Sequence, residues 1–184
     1  GPLSGANAFA GKDNENGVRL ALEELNAKKM VVGGKTLKFE LVSEDDQCDA
    51  KSGVNVAQKL VDGGVKFVMG PYCSGVTIPA SRIYDAGGAL VSTVGTNPKV
   101  TQNGYKNLYR IIASDTQIGS NMATYAANVL KVKKVAVVDD RTAFGQGVAD
   151  EFTKEAKKLG LTVVGQEFTT DKSVDFLSIL TSLK

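Results

Sequence analysis

The chain has 184 residues, the size of one large domain or two small ones, and its 42% hydrophobic content can fill a core. A formal net charge of +2, with acids and bases interspersed, supplies no basic stripe for nucleic acid. No apolar run approaches the ~20 residues of a membrane helix, and the absence of histidine removes the usual general base and the commonest metal ligand.

In chain order, Gly11 to Ala27 reads as a helix, with Val18, Leu20, Ala21, Leu22 and Leu25 as its apolar stripe and acids near its start. Val32-Gly-Gly-Lys35 is a turn and Leu37 to Val42 a strand. Asp49 is placed to cap a helix over Ala50 to Asp62, which stops at Gly63-Gly64. Val65 to Met69 reads as a buried strand, Ile78 to Ala86 as a helix with Pro79 in its first turn, and Ala89 to Ser92 as the next strand. Leu108 to Ile112 alternates like a short strand, and Asp115 is expected to cap a helix through Leu130. Lys134 to Val138 is a strand, Gly147 to Leu159 a helix, Leu161 to Val164 a strand, and Asp175 to Leu183 a helix. This alternation predicts an α/β protein with parallel sheets. A second βαβ set begins near residue 115, so the expected lobes are 1–114 and 115–184, the second incomplete.

Two strand ends carry the polar chemistry. Gly70-Pro-Tyr-Cys-Ser-Gly-Val-Thr-Ile-Pro-Ala-Ser81 follows one apolar run, and Ser92-Thr-Val-Gly-Thr-Asn-Pro98 follows another. Hydroxyls and backbone N–H groups there suit a carboxylate without any cofactor; ordinary capping and turn chemistry would use the same residue types. No dinucleotide or P-loop glycine pattern occurs, and Gly145-Gln-Gly147 is too short to argue phosphate binding. Asp45-Asp46 and Asp139-Asp140 are acid pairs of the kind that hold Mg²⁺, but strand-end acids more often cap helices or face solvent, so no metal is expected. Cys73 has no histidine to activate it as a nucleophile. Cys48 and Cys73 each follow a strand-like run, and two readings stay open: a disulfide made in an oxidising compartment, or two buried thiols.

Taken together, these residues resemble the periplasmic leucine/isoleucine/valine-type binding proteins of ABC importers. The resemblance is carried by Gly1 to Gly5, Gly11 and Gly17, Ala21 to Ala27, Glu44-Asp-Asp-Gln-Cys-Asp49, Gly70 to Ser81, Thr96-Asn-Pro98, and Asp139 to Gly147. It implies a type I periplasmic binding protein fold of two Rossmann-like, flavodoxin-like lobes that close on a ligand in the cleft between them. It implies a branched-chain or other aliphatic amino acid as ligand, an ABC permease as partner, a periplasmic location, no cofactor, no membrane insertion and no enzymatic activity. Ser74 and Thr96, with Gly75 and Gly95, would hold the ligand carboxylate, and the Val94 backbone the ammonium group. Asp115 would lie near the cleft, and Phe144, where the family usually has Tyr, would pack on the ligand. Cys48 and Cys73 fall on a disulfide found in some members. Ala10 stands where many members carry an aromatic, and Val94 where a small residue is common. The family also has a strand before Gly1 and a continuation beyond Lys184, so a complementary fragment or a swapped chain is expected to supply the missing strand. The alternative is a ligand-sensing receptor or regulatory domain of the same fold, binding a small amide or organic acid.

Overall fold

The computed structural model describes residues 1–170 and 172–183, in which helices and short strands alternate. The chain forms two compact units, Gly1–Val94 with Tyr105–Tyr109, and Gly95–Gly104 with Arg110–Lys184. Among the described residues no helix is long and apolar enough to cross a membrane.

The first unit begins with α1 (Ala8–Ala27) and a small antiparallel hairpin of β1 (Val31–Val32) and β2 (Lys35–Thr36), turned by Gly33-Gly34. It continues through α2 (Ala50–Asp62), β3 (Phe67–Met69), α3 (Ser74–Ala86), β4 (Leu90–Thr93) and, after a segment of the second unit, β5 (Leu108–Arg110). The sheet order is β3-β4-β5, and β3 runs parallel to β4 from Phe67↔Leu90 to Met69↔Ser92. Side chains alternate across it: Val68 and Val91 are buried, while Phe67, Met69 and Leu90 are exposed. Helices α2 and α3 pack on each other, and α3 packs on β4. Ala57, Leu60, Val76, Ala80 and Tyr84 are buried on these two helices.

The expected strand over Leu37 to Val42 is not formed. A strand exists only as half of a ladder, and here the Phe39 backbone bonds to a side chain instead. Its N–H donates to Asn26 Oδ1 at 2.8 Å, and its carbonyl accepts from Asn26 Nδ2 at 2.9 Å. Helix α2 has its expected bounds, with the Asp49 carboxylate accepting from the Ser52 N–H at 2.7 Å. Helix α3 starts four residues before the expected Ile78, so Pro79 lies inside it rather than in its first turn.

The second unit holds α4 (Lys99–Gln102), α5 (Asp115–Asn128), β6 (Lys134–Asp139), α6 (Ala143–Lys158), β7 (Thr162–Phe168) and α7 (Leu177–Ser182). Strands β6 and β7 are parallel from Lys134↔Thr162 to Asp139↔Phe168, with one irregularity between Val135 and Ala136. Helices α5 and α6 pack closely because small residues face the contact. Ala123, Ala126, Ala156 and Leu161 form its core, with Val135, Phe152 and Val163 against it. At Gly119 a Cβ would stand 2.6 Å from the Phe152 amide nitrogen and 2.7 Å from the Val148 carbonyl oxygen. Both are backbone atoms and cannot swing aside. Gly119→Ala should therefore force the helices apart and destabilise the second unit by about 1–3 kcal/mol. Urea denaturation followed by circular dichroism checks this, and an unchanged midpoint would contradict the close approach.

Candidate functional site

In the first unit the polar residues gather at the start of α3. Cys73 occupies the N-cap position with extended backbone, and its carbonyl accepts from the Val76 and Thr77 N–H groups at 3.0 and 2.9 Å. Ser74, only 2% exposed, is the first helical residue. The Gly75 N–H, next in the turn, has no hydrogen-bond partner among the described residues. Two hydroxyls tie this turn down. Thr77 Oγ1 donates to the Cys73 carbonyl at 3.0 Å, and Thr93 Oγ1 donates to the Pro71 carbonyl at 2.7 Å.

Cys48 and Cys73 are joined in a disulfide that closes a separation of 25 residues, with Cα atoms 5.6 Å apart. The loop bearing Cys48 is held by the acids beside it. Asp45 Oδ1 accepts from the Leu3 and Gln47 N–H groups at 2.8 and 2.9 Å, and Asp46 Oδ1 from the Cys48 N–H at 3.0 Å. Asp139 and Asp140 do the same in the second unit, accepting from the Arg141 and Thr142 N–H groups at 2.8 and 3.0 Å. Among the described residues no group of three or more His, Cys, Asp and Glu is placed to hold a metal ion.

The second unit brings Thr96, Asn97 and Asp115 together. The Asp115 N–H donates to the Thr96 carbonyl at 2.9 Å, and Asn97 Nδ2 donates to the Ala143 carbonyl at 2.8 Å. Asp115 is not the cap of α5 that the sequence suggested. Ser114 caps the helix in a reciprocal capping box with Gln117. That leaves the Asp115 carboxylate free for another use. Asp115 is 0% exposed, and no hydrogen bond of regular geometry reaches either carboxylate oxygen. One of those oxygens and the Asn97 amide fill the space where a side chain at 147 would stand, so only glycine fits there. Burial pushes the Asp115 pKa up, while the nearby Thr96 hydroxyl and the Arg110 charge pull it partly back.

Of the other expected residues, Ser74 and Gly75 belong to the first unit, Val94 is the last residue of that unit's main segment, and Gly95 begins the second. Phe144 is 47% exposed in the first turn of α6, which starts four residues earlier than expected, with Thr142 Oγ1 accepting from the Gly145 N–H at 2.9 Å. Sequence reasoning assigned no role to Asn97 or Arg141. Asn97 sits inside the Thr96-Asn-Pro98 motif and its location was the available signal; Arg141 left none beyond its place within Asp139 to Gly147.

Two expectations follow from this geometry. Replacing both cysteines by serine should cost about 3–4 kcal/mol through the freed loop of the unfolded chain, seen as a lower melting temperature; an unchanged melt would exclude a stabilising bridge. For Asp115 the raised pKa means that the folded protein binds the proton more tightly than the unfolded one, so stability falls as pH rises from the ordinary aspartate range through the raised value. Asp115→Asn should remove that fall and raise the melting temperature of the ligand-free protein at neutral pH. Identical pH profiles for the two proteins would show that the carboxylate is not strained by burial.

The family model described as "Periplasmic binding protein" matches residues 1–184. The chain is 40% identical over 186 residues to an amino acid binding protein of Pseudomonas aeruginosa, a match covering 100% of this chain and 49% of that protein. It is 38% identical over 184 residues to the Leu/Ile/Val-binding protein homolog 1 of Brucella melitensis, again covering 100% of this chain and 49% of the relative. Among solved structures, the branched-chain amino acid transporter substrate binding protein LivJ from Streptococcus pneumoniae, in complex with isoleucine, superposes with a TM-score of 0.85 at 26% identity, over 97% of this chain and 50% of LivJ. The chain thus spans about half the length of the curated relatives it matches. Its α/β architecture with parallel sheets is the type I periplasmic binding protein fold in incomplete form. With the family model matched from the first residue to the last, the chain belongs to the periplasmic binding protein family.

Proposed function

We propose that this chain carries amino-acid-recognising groups of a solute-binding protein of an ABC importer. Its ligand is a branched-chain or other aliphatic amino acid, held in the inter-lobe cleft that the resemblance implies and handed unchanged to a membrane permease outside the cytoplasm. The family and the relatives are binding proteins, and both the relatives' names and the isoleucine bound by LivJ favour this ligand class.

The observation that carries the reading is Asp115. A fully buried carboxylate with no regular hydrogen bond is costly, and the charged ammonium group of an amino acid is the donor that would relieve it. For the ligand carboxylate, the start of α3 in the first unit supports the reading. A 13-residue helix begins at Ser74, and its Gly75 N–H has no partner among the described residues. Helix starts of this kind attract carboxylates through the aligned peptide dipoles. Ser74 and Thr96 then act as hydroxyl donors to the carboxylate, with backbone from Gly95, while the Val94 backbone faces the ammonium group and Phe144 offers its half-exposed ring to the side chain.

The test is titration calorimetry of the full-length protein with leucine, isoleucine and valine. Ser74→Ala combined with Thr96→Ala should weaken binding by more than about 2 kcal/mol, because each removed charge-assisted hydrogen bond contributes roughly 1.5–3 kcal/mol. Unchanged affinity in the double variant would refute the carboxylate assignment.

A further inference from the structure

The carboxyl ends of β6 and β7 carry a group that the aliphatic-ligand reading does not use. Arg141 follows β6 with a backbone φ of +62, in the left-handed region that glycine and asparagine favour. Its N–H is fastened to Asp139 Oδ1 at 2.8 Å. Its guanidinium carbon lies over the Phe168 ring, 4.0 Å from the centroid, and Phe168 is the last residue of β7. The only ion pair of the guanidinium among the described residues is a loose one, Nε to Asp139 Oδ1 at 4.0 Å. The two terminal nitrogens have no hydrogen bond or ion pair there. Nearly half of the side chain is open to solvent.

Three features make this more than a surface arginine. Ligands of open parallel sheets bind beyond the carboxyl ends of the strands, and Arg141 stands at that end of both strands. A residue kept in the left-handed region at a strand end is strained, and such strain concentrates at binding sites. The guanidinium also sits over the Phe168 ring, a contact that narrows the orientations open to its planar hydrogen-bond fork.

We infer that Arg141, stacked on Phe168, is a specificity-determining residue that extends the ligand range to amino acids with a neutral carboxamide side chain. The inference rests on the amino-acid reading above. The amide oxygen accepts from the terminal N–H groups, and the flat amide group matches the plane of the guanidinium. Charge decides between amide and acid. Asp139 already faces the cation, and Asp140 is the adjacent residue, its carboxylate engaged by the Thr142 N–H and Oγ1 at 3.0 and 2.7 Å. A ligand carboxylate placed there would compete with Asp139 for the cation and be repelled by it, whereas a neutral acceptor takes the hydrogen bonds without that repulsion.

The experiment is calorimetry of the full-length protein with leucine, glutamine and glutamate, for the wild type, Arg141→Met and Arg141→Lys. Expected are measurable glutamine binding, glutamate at least tenfold weaker than glutamine, and a glutamine-to-leucine affinity ratio that falls at least tenfold in Arg141→Met. Arg141→Lys should not restore the ratio, since an ammonium group lacks the planar fork. Leucine binding with no glutamine binding overturns the inference and leaves the amino-acid reading standing. An equal loss of leucine and glutamine affinity in Arg141→Met also overturns it, because it shows a purely structural role. Failure of all three ligands overturns the amino-acid reading itself.

Discussion

A carboxylate withdrawn from water without a regular donor is among the most expensive groups a small unit can bury, and the second unit is arranged around one. Asp115 is held there chiefly by its surroundings, with the Thr96 hydroxyl beside it. Its backbone is tied to Thr96, its helix is capped by the residue before it, and Gly147 leaves the room its side chain occupies. The two helices that enclose it approach so closely that Gly119 is pressed against opposing backbone. Tight helix packing and the burial of this carboxyl are thus parts of one arrangement.

The first unit solves a different problem, that of presenting backbone N–H groups at a fixed place. The start of α3 is fastened covalently through Cys73, by hydroxyls from Thr77 and Thr93, and indirectly by the acids that fold the Cys48 loop. In both units aspartates organise turns, Asp45 and Asp46 in the Cys48 loop and Asp139 and Asp140 at the end of β6. Each of the four carboxylates accepts a backbone N–H in this way.

What was legible in the sequence was local. Helix α2 is fully specified by Asp49, its apolar spacing and the two glycines that end it, and the structure has it with the same bounds. The Leu37 to Val42 segment has an equally clear apolar pattern but forms no strand, because pairing is a property of two segments and a pattern describes one. Helices α3 and α6 begin earlier than their apolar stripes, since each first turn offers one large apolar residue, Val76 or Phe144, among glycine and small or polar residues. Ser114 and Asp115 are adjacent and both good caps; the glutamine three positions after Ser114 is the signal that discriminates between them. The polar strand ends themselves were visible as motifs, but the burial of Asp115 and the stacking of Arg141 on Phe168 depend on chain segments tens of residues apart.

Pro79 has one more effect on α3. It has no N–H to give, so the Gly75 carbonyl four residues earlier loses the donor that a regular helix would supply. The Gly75 N–H already lies outside the ladder. Both polar groups of one glycine are therefore decoupled from the helix whose start they form, while the flanking residues stay anchored. That single residue is joined to α3 by the covalent chain and by its neighbours' hydrogen bonds rather than by the helical ladder.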